Sequence, residues 1–255
     1  MLLLPLPLPL APIAWLTGFR RVPDNSVVTV HRFGRFVPSL AESWTHSADY
    51  KEWTFKLRKG VKFHNGNEFT ADDVVFSFNR ILHHPKSSSK SMFSSILSVE
   101  KVDSHTVKIT WGRLKNSEDA TVPLTSWADR AKYMSPSSYG PGLNILAHYC
   151  SGIEDAETVE AAGADYGTKV VTGTGPYKFV SWPNPQEVNV TRNDAWWGDA
   201  KTLAFKNIQF RAMSEQPQVN NVLITGEVDL AFNLSKLDLA SIERAGVGIT
   251  TKPGL

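Results

Sequence analysis

The sequence predicts a mixed α/β fold, in which strands and helices both contribute to the core. Three observations support this fold class: an apolar alternation over Trp53–Leu57, a helix that begins with a capping motif at Thr70, and a succession of strand-like and helix-like segments after Gly173. Such a succession is typical of α/β sheets. The chain has 255 residues, of which 42% are hydrophobic and 20% charged. This is globular composition, with enough length for one large domain or two modest ones.

The first predicted element is a hairpin. Apolar residues alternate with polar ones over Trp53–Leu57, which is the period of a half-buried strand. Lys59–Gly60 can turn the chain, and the alternation resumes over Val61–Phe63. Asn65–Gly66 then predicts a tight turn, because both residue types tolerate positive φ.

A helix is predicted to follow this turn. Thr70 is a good N-cap, and Asp73 three residues later completes an acidic variant of the capping box. Pro85 disfavours continuation, so the helix ends just before it. Its apolar face recurs at helical spacing and comprises Val74, Val75, Phe78, Ile81 and Leu82.

The remaining elements follow from shorter patterns. A strand is predicted at Val107–Trp111 and a short acidic helix over Glu154–Ala164. After Gly173 the patterns predict strands at Tyr177–Ser181, Val188–Val190, Ile208–Phe210, Val228–Phe232 and Val247–Thr251, and helices from Ser214 to Gly226 and from Ser235 to Gly246.

Composition excludes some functions. The formal net charge is only +2, whereas a nucleic-acid-binding protein needs clustered basic residues. Cys150 is the sole cysteine, so the chain can form no internal disulfide. The apolar stretch Met1–Leu16 is a poor secretory signal, because no basic residue precedes it and prolines interrupt it.

No reactive constellation stands out. The sequence lacks the nucleophile-elbow, zinc-protease and phosphate-loop motifs. His83 and His84 are adjacent, and neighbouring helix side chains diverge by roughly 100°, so they do not easily share a metal ion. The sequence therefore predicts no enzyme, no cofactor and no metal site.

Several stretches resemble one protein family. They are PSLAESW at 38–44, WTFKLRKGVKF at 53–63, NGNEFTADDVVFS at 65–77, GTGPY at 173–177, the aromatic turn Asn193–Gly198 and GEVDL at 226–230. In this order they are similar to the family 5 extracellular solute-binding proteins of peptide, opine and nickel ABC importers. The likeness covers the N-terminal half of such a protein, and its first three stretches are the most specific.

The resemblance implies a periplasmic binding protein-like type II lobe, incomplete because the second lobe is lacking. It divides the chain into an atypical N-terminal segment 1–35 that is a candidate for disorder, an α+β subdomain 36–172 and an α/β sheet subdomain 173–255. It also implies a monomer in the periplasm or otherwise outside the cytoplasm. Such a protein binds a peptide-like or opine-like small solute and passes it to an ABC permease in the membrane. The alternative is a truncated remnant that binds nothing.

The chain departs from the family pattern in its first residues. The family opens with a strand just upstream of the Leu40–Trp44 region, whereas Phe19–Arg35 is unfamiliar here. A lone half is also expected to leave a sheet edge and apolar surface exposed.

The resemblance places Thr125–Pro136 near a ligand cleft. There Trp127 is a candidate for stacking on a ligand and Arg130 for a two-point contact with a carboxylate, with Asp129 between them. Met92 and Phe93 follow a Ser/Lys loop and are further candidates at the cleft mouth. The alternative is packing for the apolar side chains and a solvated surface position for Arg130.

Overall fold

The computed structural model describes residues 26–30, 36–116, 122–137, 142–232, 234–235 and 237–249. The chain divides into two compact units. The larger spans Leu8–Trp182 and Val188–Gln209, and the smaller includes Pro183–Glu187 and Phe210–Leu255.

The strands, in chain order, are β1 (Val28–Val30), β2 (Phe36–Pro38), β3 (Ala41–His46), β4 (Glu52–Leu57), β5 (Ile96–Asp103), β6 (Thr106–Leu114), β7 (Met134–Pro136), β8 (Tyr177–Asn184), β9 (Glu187–Arg192) and β10 (Asn207–Arg211). The α-helices are α1 (Ala71–His83), α2 (Trp127–Tyr133), α3 (Leu143–Leu146), α4 (Ala156–Ala162), α5 (Gln216–Ile224) and α6 (Leu239–Arg244). Short 3₁₀ turns occupy Tyr149–Ser151, Gly163–Asp165 and Ala200–Thr202.

The central sheet of the larger unit has the order β3–β4–β6–β5, with β7 paired to the far end of β6. All its described pairings are antiparallel. Phe55 lies opposite Trp44 on one side and Val107 on the other. Phe55 and Val107 are fully buried, so the predicted alternation does direct one face of this sheet into the core.

The predicted hairpin partner of β4 is wrong. The neighbours of β4 are β3 and β6, whereas residues 61–63 form only an isolated bridge between Lys62 and Glu68. The backbone of Val61–Phe69 instead pairs with itself, since Phe63 N donates to Asn67 O (2.8 Å) and Phe69 N donates to Val61 O (2.9 Å). The predicted Asn65–Gly66 turn closes this loop, with Gly66 at φ +101°.

Helix α1 begins and ends where the sequence predicts. The Thr70 side chain accepts from Asp72 N, and the Asp73 carboxylate accepts from Thr70 N at 2.8 Å, so the capping box is formed. Val74, Phe78, Ile81 and Leu82 of the predicted stripe are buried in the core, and its fifth member, Val75, is half-buried and packs against that core. His84 is the C-cap, directly before Pro85.

A strand does stand upstream of Leu40, although the sequence there is unfamiliar. β1 pairs antiparallel with β2, and Leu40 N donates to Ser26 O at 3.1 Å. Val27 and Val28 are completely buried. Part of the segment 1–35 therefore contributes to the core, because Val27 and Val28 belong to the same buried apolar cluster as Leu40 and Ala41.

The order of elements after Gly173 differs from the predicted alternation. Three strands come first and form a sheet of order β10–β9–β8, and the helices α5 and α6 follow. No strand forms over 227–232 or over the described residues 247–249. Leu230 and Phe232 are exposed. Within the described residues, no strand pairs with this segment. Thr251 lies outside them.

The smaller unit exposes apolar side chains. Leu230, Phe232 and Leu237 all lie on its surface, and Leu237 is 93% exposed. Its buried apolar residues include Val222 and Leu223 of α5 and Ile242 of α6, so the two helices supply its small core. Among the described residues, no helix has the length and apolar character needed to cross a bilayer.

Candidate functional site

The two segments that carry the sequence-predicted site residues meet in the structure. Helix α2 follows the N-cap Ser126, whose side chain accepts from Asp129 N. The segment 92–96 leads from the Ser/Lys loop into β5. Arg130 joins the two, because its Nη1 donates to Ser94 O at 2.9 Å and to Ile96 O at 2.6 Å.

Trp127 and Met92 are the candidates that offer surface. Trp127 is half-buried and packs partly against the core. Its indole meets the ring of His83 edge to face, with centroids 4.7 Å apart and an interplanar angle of 87°. Met92 is 42% exposed. An aromatic face and a flexible thioether are groups that can pack against varied ligands.

Asp129 acts first on its own helix. Its carboxylate accepts from Ser126 Oγ and Thr125 Oγ1, both at 2.8 Å, and from Thr125 N at 3.1 Å. The hydrogen bonds from Ser126 and Thr125 hold the pKa of Asp129 below its ordinary value. The carboxylate is thereby committed to the start of α2, where it also suits the helix dipole.

Arg130 is a buried structural cation rather than a solvated one. Its side chain is only 1% exposed, and besides the two carbonyls its Nε donates to His83 Nε2 at 3.3 Å. Burial lowers the pKa of Arg130 to about 10, which leaves the guanidinium charged at neutral pH. Carbonyl dipoles and an imidazole lone pair therefore solvate this charge in place of water.

Phe93 lies entirely in the core. It is 0% exposed and packs edge to face on Phe78 of α1, with ring centroids 6.0 Å apart. A direct ligand contact by Phe93 or Arg130 would require this packing to open. The ligand role of all five residues stays a prediction, and the structure distinguishes the two with free surface from the three that hold the segments in place.

Sequence reasoning missed the partners of these residues. His83 was considered only as a metal ligand, yet it contacts both Trp127 and Arg130. Asn79, one turn earlier, fixes its ring, since Oδ1 lies 2.8 Å from His83 Nδ1. The i, i+4 spacing of Asn79 and His83 is the sequence signal that predicts this pair.

A second buried polar cluster lies at α1 and the start of α4. Arg80 Nε is 3.0 Å from Glu154 Oε2, and both side chains are largely buried. The Arg80 guanidinium also lies over the Tyr166 ring, 5.6 Å from its centroid. Burial raises the pKa of Glu154 to about 7, against the opposing effect of Arg80. Seventy-odd residues separate the partners, so no local pattern predicts them.

Asp155 links the predicted turn to α4. Its Oδ2 accepts from Asn65 Nδ2 at 2.7 Å, Asn67 Nδ2 at 2.9 Å and Thr158 Oγ1 at 2.6 Å. Asp155 is the N-cap of α4 and is buried. These hydrogen bonds satisfy a buried carboxylate, so we assign Asp155 a structural role. In the described part of the chain, no group of three or more His, Cys, Asp or Glu side chains is placed to hold a metal ion.

Comparison with known proteins shows one family. The family described as bacterial extracellular solute-binding proteins, family 5 Middle, matches residues 35–254. The chain is 28% identical over 250 residues to di/tripeptide-binding protein 3 of Pseudomonas aeruginosa. The alignment covers 90% of this chain and 43% of that protein. The chain thus spans less than half the length of this curated relative.

Solved structures agree in fold. AgaA from A. tumefaciens, in complex with agropinic acid, superimposes with a TM-score of 0.64 at 28% identity, over 81% of this chain and 37% of that one. The periplasmic binding protein DppA of Helicobacter pylori, in complex with the peptide STSA, gives a TM-score of 0.70 at 23% identity, over 92% of this chain and 46% of that one. Both likenesses cover an incomplete part of a binding-protein fold, as the sequence predicts.

Proposed function

This chain belongs to the family 5 bacterial extracellular solute-binding proteins, and we propose that it contributes to the binding of a peptide-like or opine-like solute for import. The observation that carries the proposal is the match over residues 35–254. It is supported by the names of similar proteins, one of which binds di- and tripeptides while another is complexed with agropinic acid. The proposed role is ligand binding without chemical change of the ligand.

The proposed partners follow from this role. The ligand is a small peptide-like or opine-like molecule, and the receiving protein is an ABC permease in the membrane. The proposed location is outside the cytoplasm, where such a solute is captured. Closure of two lobes around the ligand would exclude water from its polar groups and hold it until delivery.

Within the chain, the proposed ligand-facing groups are Trp127 and Met92. Arg130, Asp129 and Phe93 would act by holding the segments that carry them. The contacts of Arg130 with the backbone of Ser94 and Ile96 support this division, because they tie α2 to the segment just after Met92. An aromatic side chain on such a braced helix loses little conformational entropy when it meets a ligand.

A thermal-shift screen followed by calorimetry tests the proposal. The chain is titrated with di- and tripeptides and with agropinic acid, and binding to the folded state is expected to raise the melting temperature. Replacing Trp127→Ala is expected to weaken affinity about tenfold, which corresponds to roughly 1.4 kcal/mol and is the worth of one aromatic contact.

Trp196→Ala is the matched control, since Trp196 is another half-buried tryptophan and lies in the aromatic turn after β9. It is expected to retain the affinity of the unchanged chain. Absence of any thermal shift across the panel would contradict the binding role. Equal loss of affinity in both variants would remove Trp127 from the site.

A further inference from the structure

His83 sits where three elements of the candidate site converge. It is the last residue of α1, its ring meets Trp127 of α2 edge to face, and its Nε2 lies 3.3 Å from Arg130 Nε. Through Arg130 it is linked to the backbone of Ser94 and Ile96. A single imidazole therefore contacts the proposed ligand-facing tryptophan and the cation that braces it.

The hydrogen bonds around this ring require the neutral imidazole. Arginine Nε is only a donor, so His83 Nε2 must accept with its lone pair. Asn79 Oδ1 is an acceptor 2.8 Å from Nδ1, so Nδ1 carries the proton. A second proton on Nε2 would remove the acceptor from Arg130 and place two cations in contact.

We propose that His83 is a positioning residue for Trp127, and that protonation of its Nε2 releases α2 and weakens ligand binding in acid. This inference rests on the proposed function and names a pH control of the same site. The contact chain Asn79–His83–Arg130 acts as a latch that is closed only while the imidazole is neutral.

The groups facing His83 favour the closed latch at neutral pH. Burial, Arg130 and Lys90 lower the pKa of His83 to about 4, while Asp129 opposes them. His83 is consequently neutral at pH 7 and the latch is closed. If binding needs the neutral ring, only the neutral fraction of the chain is competent to bind. That fraction falls as the pH falls through 4, so the apparent Kd rises. Between pH 6 and pH 3.5 the expected loss of affinity is about fourfold.

The test combines ¹⁹F NMR of the chain labelled with 5-fluorotryptophan and calorimetry with trialanine. The Trp127 resonance is assigned by its disappearance in Trp127→Phe. In the unchanged chain this resonance is expected to shift with an apparent pKa of about 4, and affinity for trialanine is expected to fall about fourfold over the same range. Circular dichroism at each pH confirms that the chain is folded.

His83→Gln separates positioning from general acid sensitivity. Glutamine offers an uncharged Oε1 that can accept from Arg130 and does not titrate. Its Trp127 resonance and its trialanine affinity are both expected to be flat between pH 6 and pH 3.5. His84→Gln is the matched control, because His84 is adjacent but has no described contact with Trp127, and it is expected to titrate like the unchanged chain.

Two results would overturn the inference: a Trp127 resonance that still titrates in His83→Gln, or an affinity whose pH dependence is the same in both proteins. If trialanine binds at no pH, the proposed function fails for this probe, and the ¹⁹F titration alone still decides whether His83 positions Trp127. If trialanine binds and the resonance does not move with His83, the positioning role fails while the proposed function stands.

Discussion

Helix α1 contributes to two buried arginine sites that satisfy their charges in different ways. At one site Arg80 faces an acid, Glu154, 3.0 Å away. At the other Arg130 faces neutral groups, namely the carbonyls of Ser94 and Ile96 and the ring of His83. The difference shows that the dipoles of neutral groups can hold a buried cation. The titratable partner, Glu154 at one site and His83 at the other, decides how each site responds to pH.

The two sites are expected to have opposite pH dependence. The folded-state pKa of Glu154 is raised from 4.5 to about 7, so its contribution to stability is present below pH 4.5 and is lost as the pH rises through 7. The folded-state pKa of His83 is lowered from 6.5 to about 4, so its contribution is present above pH 6.5 and is lost as the pH falls through 4.

The largest expected effect is at the dipole-bound site. Arg130→Ala is expected to lower the free energy of unfolding by about 3 kcal/mol at pH 7.5, because it removes the guanidinium donor from the carbonyls of Ser94 and Ile96 and opens a cavity. Urea denaturation measures the change. Lys132→Ala is the control, since Lys132 lies exposed on the same helix and its removal is expected to cost less than about 0.5 kcal/mol. If both variants lost less than about 0.5 kcal/mol of unfolding free energy, Arg130 would contribute no more to stability than an exposed lysine.

At the site of Arg80 and Glu154, replacing the titratable residue is expected to increase stability rather than decrease it. Glu154→Gln mimics the protonated acid, so it should leave stability nearly unchanged at pH 4, below the unfolded-state pKa, and raise the free energy of unfolding by about 1–2 kcal/mol at pH 8. The gain arises because the folded state no longer has to bury a carboxylate. Denaturation curves at the two pH values give the difference. Destabilisation at pH 8 would show that Arg80 overcomes the cost of burial and keeps Glu154 ionised.

The smallest effect tests whether the two sites depend on the helix they share. Thr70→Ala removes the N-cap oxygen of α1 and is expected to cost about 1 kcal/mol, while Thr70→Ser is expected to cost little. Since the cap supports the whole helix, the loss should be the same in the presence and absence of Arg130→Ala. A double-mutant cycle by urea denaturation checks this, and a coupling energy above about 0.5 kcal/mol would show that the cap acts through one site.

Much of the local structure was predictable. The alternation around Phe55 identified β4, the Thr70–Asp73 box fixed the start of α1, and Asn65–Gly66 identified the turn between them. Each signal depends on residues that lie within a few positions of one another. The family was also predictable, because its motifs include these same caps and turns.

Other features were missed because they depend on distant partners. The alternation at Val228–Phe232 predicted a strand, but alternation alone supplies no neighbour to pair with, and none forms there. The sequence predicts a ligand-binding or solvated surface position for Arg130, because the residues around it carry no local signal of its buried partners. Its burial depends on the backbone of Ser94 and Ile96 and on the ring of His83, all more than thirty residues earlier.

The sequence by itself determined the mixed α/β class, the capped helix α1, the turn at Asn65–Gly66 and the family to which the chain belongs. The tertiary structure alone decided that β4 pairs with β3 and β6, that Phe93 and Arg130 are buried, and that His83 joins Trp127 to Arg130. The physical reason is range: caps, turns and apolar periods are short-range preferences of the backbone, whereas burial of a charge depends on which remote groups replace its water.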